Sequence, residues 1–114
     1  MIKVTILYPN KPGSHFDVEY YLKVHMPLAV RLLGSAIKAV SVEIGKSGAT
    51  PDQPPPYAVI CVFTCESVER FTEAFVPVST DLQGDIPNYT DIEPVIQISE
   101  IIEIPLGRLE AAAN

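Results

Sequence analysis

The order of the secondary-structure elements constrains the fold of this 114-residue chain more than any single motif does. Alternation of apolar and polar residues, or a short apolar β-branched run, predicts four strands. The predicted strands cover residues 2–8, 36–45, 57–64 and about 93–104. Helical spacing of apolar residues predicts two helices, over about residues 16–24 and 66–75. The order β-α-β-β-α-β is that of a ferredoxin-like α+β domain, a four-stranded antiparallel sheet with both helices on one face.

The sheet face that the helices leave uncovered predicts a partner. Small and apolar residues occupy this predicted face: Thr5, Leu7, Ala39, Ser41, Ser99 and Ile101. A second copy of the same sheet would cover it under closed symmetry, so we expect a homodimer. Two sheets packed face to face form a dimeric α+β barrel, with space for a ligand between each sheet and its helices.

We expect a single domain over residues 1–114, with residues 105–114 as a C-terminal tail. Pro27 should kink the first helix or split it in two, and Gly34 is a plausible end for it. A stripe of apolar residues should face the core from this helix: Val18, Leu22, Ala29 and Leu33. The segment 79–91 should be irregular, with at most one short helical turn.

Charge and composition exclude several classes of partner. The net charge is −6, and Lys and Arg are scattered singly, so we expect binding neither to nucleic acid nor to an anionic membrane surface. No apolar run is long enough to span a bilayer, and the N-terminus does not resemble a signal peptide, so the cytoplasm is the expected location. Cys61 and Cys65 lie four residues apart in one predicted strand, too far for a disulfide, and should be buried thiols.

A helical motif carries the candidate catalytic residues. Asp17, Tyr21 and His25 are spaced by four, which places a carboxylate, a phenol and an imidazole on one helix face. Imidazole titrates near neutrality and suits a general acid and base. Alternatively, His25 closes the helix by binding the carbonyl freed by Pro27, and Asp17 stabilises the first helical turn.

The chain resembles the EthD family of dimeric α+β barrel proteins over roughly residues 2–104. The motifs that carry the resemblance are Tyr8-Pro9, Phe16-Asp17, Tyr20-Tyr21, His25, Pro27-Leu28, Asp85 and Pro87-Asn88-Tyr89-Thr90-Asp91. The resemblance implies a dimer with a pocket for a small hydrophobic molecule, and it favours His25 as a pocket residue. The family's namesake is an accessory protein of ether degradation, while fungal relatives are dehydratases of aromatic polyketides.

These observations lead to three hypotheses. In the first, the protein is an enzyme acting on a small hydrophobic or aromatic molecule, by dehydratase chemistry or cofactor-free oxidation. Here His25, Tyr21 and Asp17 are catalytic candidates, and Tyr8, Tyr20 and Tyr89 are candidate substrate-binding phenols. Tyr89 has a structural alternative, a turn built with Asn88 and Asp91. We expect no metal and no other cofactor.

In the second hypothesis, the protein is a non-catalytic accessory protein that binds a hydrophobic metabolite for an oxidative pathway. In the third, a purely structural dimer fills its barrel with its own side chains.

Overall fold

The computed structural model describes residues 1–107, in which four strands form one antiparallel sheet in the order β2-β3-β1-β4. The strands are β1 (Ile2–Pro9), β2 (Ala39–Ile44), β3 (Tyr57–Cys65) and β4 (Val95–Glu100). The predicted α+β class and ferredoxin-like order are therefore confirmed. From residue 108 onward, the predicted tail lies outside the described residues.

Helical segments follow β1 and β3. They are α1 (Val18–Tyr20), a π-helical segment (Tyr21–His25), α2 (Met26–Leu33), α3 (Val68–Phe75) and α4 (Ser79–Asp85). Single 3₁₀ turns lie at Gly34–Ala36, Val76–Val78 and Ile86–Asn88. Side-chain caps fix two of the helix starts: Asp17 accepts the Tyr20 N–H at 3.0 Å, and Ser67 accepts the Arg70 N–H at 3.1 Å. Gly34 ends α2 as predicted, with a φ of 60° that favours glycine.

Helical backbone continues from Val18 to Leu33, past the predicted end at Val24, and a new helix, α2, begins at Met26 next to Pro27, as the predicted split allows. Pro27 lies in the first turn of α2, and the π-helical segment precedes it. The Met26 N–H bonds to the Tyr21 carbonyl five residues back, which widens the turn. The wider turn directs Tyr21 and His25 inward. Leu22 is 44% exposed, so its predicted place in the core stripe is wrong.

Two other boundaries differ from the prediction. The last strand ends at Glu100, which pairs with Ile2, short of the predicted end at about residue 104. Ile102 and Ile104, predicted within the strand, are consequently exposed. The segment 79–91, predicted irregular, contains α4 and a 3₁₀ turn. That difference matters because the end of α4 supplies a site residue.

The core lies between the helices and one face of the sheet. The sheet contributes Val4, Tyr8, Val59, Cys61, Phe63 and Cys65, and the first helical region contributes Tyr21, Met26, Ala29 and Leu33. Both cysteines are free and fully buried here, as predicted. On the opposite face, where no helix of residues 1–107 packs, β1 and β3 present half-buried apolar residues such as Leu7, Ile60 and Val62. Among the described helices, none is long and apolar enough to cross a membrane.

Candidate functional site

A cavity of about 460 Å³ lies between the helices and the sheet. Its deep end is formed by fully buried residues of the core: Val4, Tyr8, Tyr21 and Cys61. Half-buried or exposed residues form its rim: Phe75, Gln83, Ile86, Glu93, Pro94 and Ile96. This volume is within the range of pockets that hold small organic molecules. The lining at the deep end also includes polar groups, because the hydroxyls of Tyr8 and Tyr89 and the His25 Nε2 lie close together among these residues.

His25 and Asp85 form a buried pair beside this cavity. The His25 Nδ1 lies 2.9 Å from the Asp85 Oδ2, and the two side chains are only 9% and 12% exposed. The π-helical segment places His25 at its last residue, while Asp85 is the last residue of α4. Two segments that are distant along the chain therefore converge to hold one imidazole.

Three hydrogen bonds keep Asp85 ionised. Burial tends to raise the pKa of this carboxyl group, but bonds from Tyr20, Asn88 and His25 outweigh it and hold the pKa below the ordinary value. The Tyr20 hydroxyl donates to Asp85 Oδ1 at 2.7 Å, and the Asn88 Nδ2 donates to the same atom at 2.9 Å. The carboxylate therefore accepts the Nδ1 proton of His25, which leaves Nε2 as the basic nitrogen.

Tyr89 and Tyr8 continue the hydrogen-bonded line from His25 into the cavity. The Tyr89 hydroxyl lies 3.5 Å from His25 Nε2 and 2.7 Å from the Tyr8 hydroxyl. Since Nε2 is an acceptor, Tyr89 donates to it and Tyr8 donates to Tyr89. Burial is the main cause that raises the pKa of both phenols, so both remain neutral. The line Asp85–His25–Tyr89–Tyr8 thus joins a charged carboxylate to the cavity through three polar side chains.

A backbone clasp fixes Tyr89 against the start of the first helical region. Phe16 and Thr90 form an isolated antiparallel bridge, and the Asp17 N–H bonds to the Tyr89 carbonyl at 2.7 Å. The ring of Tyr89 packs at 5.0 Å from Tyr21 and at 4.6 Å from His25, measured between centroids. Packing of this kind holds the phenol in one orientation at the deep end.

The sequence candidates fall into two groups. Four of them, His25, Tyr21, Tyr8 and Tyr89, line the cavity. Tyr20 lies behind this lining and contacts Asp85 instead. Asp17 is exposed, outside the lining, and caps α1.

Sequence reasoning gave no role to Asp85 or to the rim residues Gln83 and Glu93. The sequence could have indicated Asp85 as a candidate, because it belongs to the same motif as Asn88 and Tyr89. Nothing in the sequence pattern paired it with His25, 60 residues away. Within residues 1–107, no cluster of three or more His, Cys, Asp or Glu side chains could hold a metal ion.

Fold and site together define a ferredoxin-like α+β domain with a buried His–Asp pair beside a helix-to-sheet cavity. The EthD domain model matches residues 15–93, which includes most of this site, and the chain belongs to the EthD family. No curated protein matches the chain.

Solved structures agree with this assignment. An EthD-like protein of Ralstonia eutropha is 42% identical, with a TM-score of 0.87 over 94% of this chain and 96% of that one. An EthD family protein of Bacillus halodurans has a TM-score of 0.64 at 16% identity over 90% of this chain and 99% of that one. A protein of Arabidopsis thaliana has a TM-score of 0.65 at 18% identity over 92% and 99%. The last two establish the shared fold alone.

Proposed function

We propose that this protein is an enzyme that binds a small hydrophobic, oxygen-bearing molecule and moves a proton on it. The observation that carries the proposal is the line Asp85–His25–Tyr89–Tyr8, which ends inside an otherwise largely apolar cavity of about 460 Å³. A buried base held by a carboxylate and facing a ligand-sized cavity is the arrangement that general acid–base catalysis needs.

His25 is the proposed general base and acid. Its Nε2 takes a proton from a carbon next to a carbonyl group, and the electrons of that C–H bond form a C=C bond as a neighbouring hydroxyl leaves. The imidazolium returns the same proton to the leaving hydroxyl, which departs as water. Asp85 stabilises the imidazolium and keeps Nε2 directed at the cavity. This sequence of steps is dehydratase chemistry, and it needs no external electron acceptor.

Tyr8 and Tyr89 are the proposed substrate-binding phenols. Their hydroxyls remain neutral and lie at the deep end, where they can hydrogen-bond to a ligand oxygen. Tyr21 supports His25 by stacking, with 5.5 Å between ring centroids and an angle of 15° between ring planes. Tyr20 positions Asp85, and Asp17 serves the helix start, so neither is proposed to touch the substrate.

A second candidate function is ligand binding without catalysis, as an accessory protein of an oxidative pathway. It is favoured by the lining, which beyond the deep polar groups consists mainly of apolar side chains such as Leu33, Phe63, Phe71 and Phe75. The two functions differ in the role of His25, because only catalysis requires its proton.

The proposed assembly is a homodimer. Leu7, Ile60 and Val62 lie side by side on the sheet face opposite the helices, and Val95 at its edge is 53% exposed. Packing this face against a second copy would remove its apolar surface from water. Sedimentation equilibrium should give the mass of a dimer, and Val62→Lys should shift it to that of a monomer. A monomeric wild-type protein would contradict this assembly.

The test of the proposed function compares the two histidines of the chain. His25→Ala should reduce turnover of a panel of hydroxylated aromatics and lactones by about 10²–10⁴-fold, the usual contribution of a general acid–base group. His15→Ala is the control, because His15 is exposed and lies outside the cavity lining. Unchanged turnover in His25→Ala would contradict the catalytic role. Binding that survives in His25→Ala, with no product formed by the wild-type protein, would favour the accessory function.

A further inference from the structure

Resting on the proposed function, we infer that the cavity admits its ligand in an uncharged form and excludes carboxylates and phosphates. The inference concerns the charge of the ligand, which the proposed reaction leaves open.

The distribution of charge around the cavity carries this inference. No Lys or Arg of residues 1–107 lines it. The charged group at the rim is Glu93, and the ionised Asp85 lies directly behind His25. An anion that enters therefore passes one carboxylate and approaches a second.

Burial makes this arrangement selective. A carboxylate that leaves water for an apolar cavity loses its hydration, which is unfavourable unless a cation or hydrogen-bond donors replace the water. His25 is the one cavity group of the described chain that can become cationic, and Asp85 at 2.9 Å already neutralises that charge. With His25 neutral, Asp85 already gives the site one negative charge; a bound anion would add a second, whereas a neutral ligand adds none.

The deep end of the cavity suits an uncharged oxygen-bearing group of the ligand, such as a hydroxyl or a carbonyl. The hydroxyl oxygens of Tyr8 and Tyr89 can accept a hydrogen bond from a ligand hydroxyl, and Tyr8 can donate its proton to a ligand carbonyl in place of Tyr89. Rings with a hydroxyl or carbonyl group match both this polar end and the apolar walls formed by Phe63, Phe71 and Leu33.

The test uses two ligands with the same ring system, 2-naphthol and 2-naphthoate, near neutral pH, where the first is neutral and the second is an anion. Isothermal titration calorimetry on the full chain measures both dissociation constants. The wild-type protein should bind 2-naphthol at least about tenfold more tightly, the order expected for one uncompensated charge near a low-dielectric site.

Two variants test whether the charge at the cavity rim controls the binding of an anion. Gln83→Lys introduces a cation at the rim and should tighten 2-naphthoate binding about tenfold, with little effect on 2-naphthol. Glu93→Gln removes the rim carboxylate and should tighten 2-naphthoate binding about threefold. Glu69→Gln is the matched control, because it changes the net charge equally at an exposed position outside the lining.

Equal or tighter binding of 2-naphthoate by the wild-type protein would overturn the inference, while leaving ligand binding in the cavity intact. If the wild-type protein prefers 2-naphthol and Glu93→Gln changes nothing, the inference holds and the missing cations alone explain the exclusion. If neither ligand binds, the proposed function fails, and this inference fails with it.

Discussion

The chain contains two histidines, and each lies next to an aspartate, but the two pairs are in opposite environments. His25 and Asp85 are 2.9 Å apart with side chains 9% and 12% exposed. His15 and Asp91 are 3.5 Å apart with side chains 66% and 54% exposed. Water and salt screen the second pair, whereas helices and sheet shield the first.

The comparison teaches that residue type alone does not decide the environment of a His–Asp pair. Asp91 accepts the backbone N–H of His15 at 3.0 Å, so its main role is to hold the clasp between the first helical region and the segment before β4. Asp85 instead accepts side-chain hydrogen bonds from Tyr20, Asn88 and the buried imidazole of His25. The same two residue types thus form an exposed structural contact in one place and a buried pair, the proposed reactive group, in the other.

The largest expected difference between the pairs is in stability. Asp85→Ala leaves the hydroxyl of Tyr20 and the Nδ1 of His25 without their acceptor in a mostly buried place, which should cost about 3 kcal/mol of unfolding free energy. Asp91→Ala acts at an exposed pair that water screens, so it should cost much less. Urea denaturation measures both. Equal losses would contradict the distinction between the pairs.

The next effect is on proton transfer. Asp85→Asn keeps the shape of the side chain, but its amide can donate to His25 Nδ1 and so selects the wrong tautomer. Turnover should fall about 100-fold, within the range for general acid–base groups, while Asp91→Asn should leave it unchanged. A ligand whose turnover is insensitive to Asp85→Asn would show that the imidazole does not need this carboxylate.

The pH dependence of stability gives a third comparison. The pKa of Asp85 is lowered in the folded protein, so the unfolded chain binds the proton more readily. Its stabilisation is therefore complete above an unfolded pKa of about 3.9, and it is lost as the pH falls through the lower folded pKa. The difference in unfolding free energy between the wild-type protein and Asp85→Asn should be large near neutrality and should shrink in acid.

A control separates the two aspartates in that experiment. The pKa of Asp91 is also lowered, mainly by the backbone N–H of His15, but this group is exposed. The difference between the wild-type protein and Asp91→Asn should therefore be small throughout. A difference for Asp85→Asn that grows toward acid would contradict the lowered pKa.

The smallest expected effect comes from removing one of the hydrogen bonds that hold Asp85 in place. Tyr20→Phe removes the 2.7 Å bond to Asp85 Oδ1 and should lower the unfolding free energy by clearly less than Asp85→Ala does, because Asp85 keeps its other two side-chain bonds. Turnover should fall only a few-fold, because Asn88 still holds the same atom. Tyr57→Phe, at the exposed start of β3, is the matched control and should change neither quantity. A loss equal to that of Asp85→Ala would mean that Tyr20 acts in the site itself.

The fold was predictable from sequence to a large extent, because alternation and helical spacing are local signals. The strands, their order and the helix end at Gly34 follow from residues close together in the chain. The end of β4 was not predictable in this way: Ile102 and Ile104 continue the alternation, but the ladder to β1 ends at the pair Ile2–Glu100.

The candidate site was predictable only in part. The spacing of Tyr21 and His25 places both on one side of the helix, and the structure brings both to the cavity. The partner of His25 depends on a contact across 60 residues, which no periodicity encodes. The π-helical segment was also beyond the sequence pattern, since Pro27 indicates a break but not how the preceding turn adjusts.

Nuclear magnetic resonance of the two histidine rings tests the central claim most directly. With ¹⁵N-labelled protein and the variant His15→Ala for assignment, the spectrum reports the tautomer of each ring and its response to 2-naphthol. We predict that His25 carries its proton on Nδ1 and that its Nε2 signal shifts when 2-naphthol binds, while the signals of His15 stay in place. A His25 ring that exchanges between tautomers and does not respond when 2-naphthol binds would contradict a base held by Asp85 at the cavity.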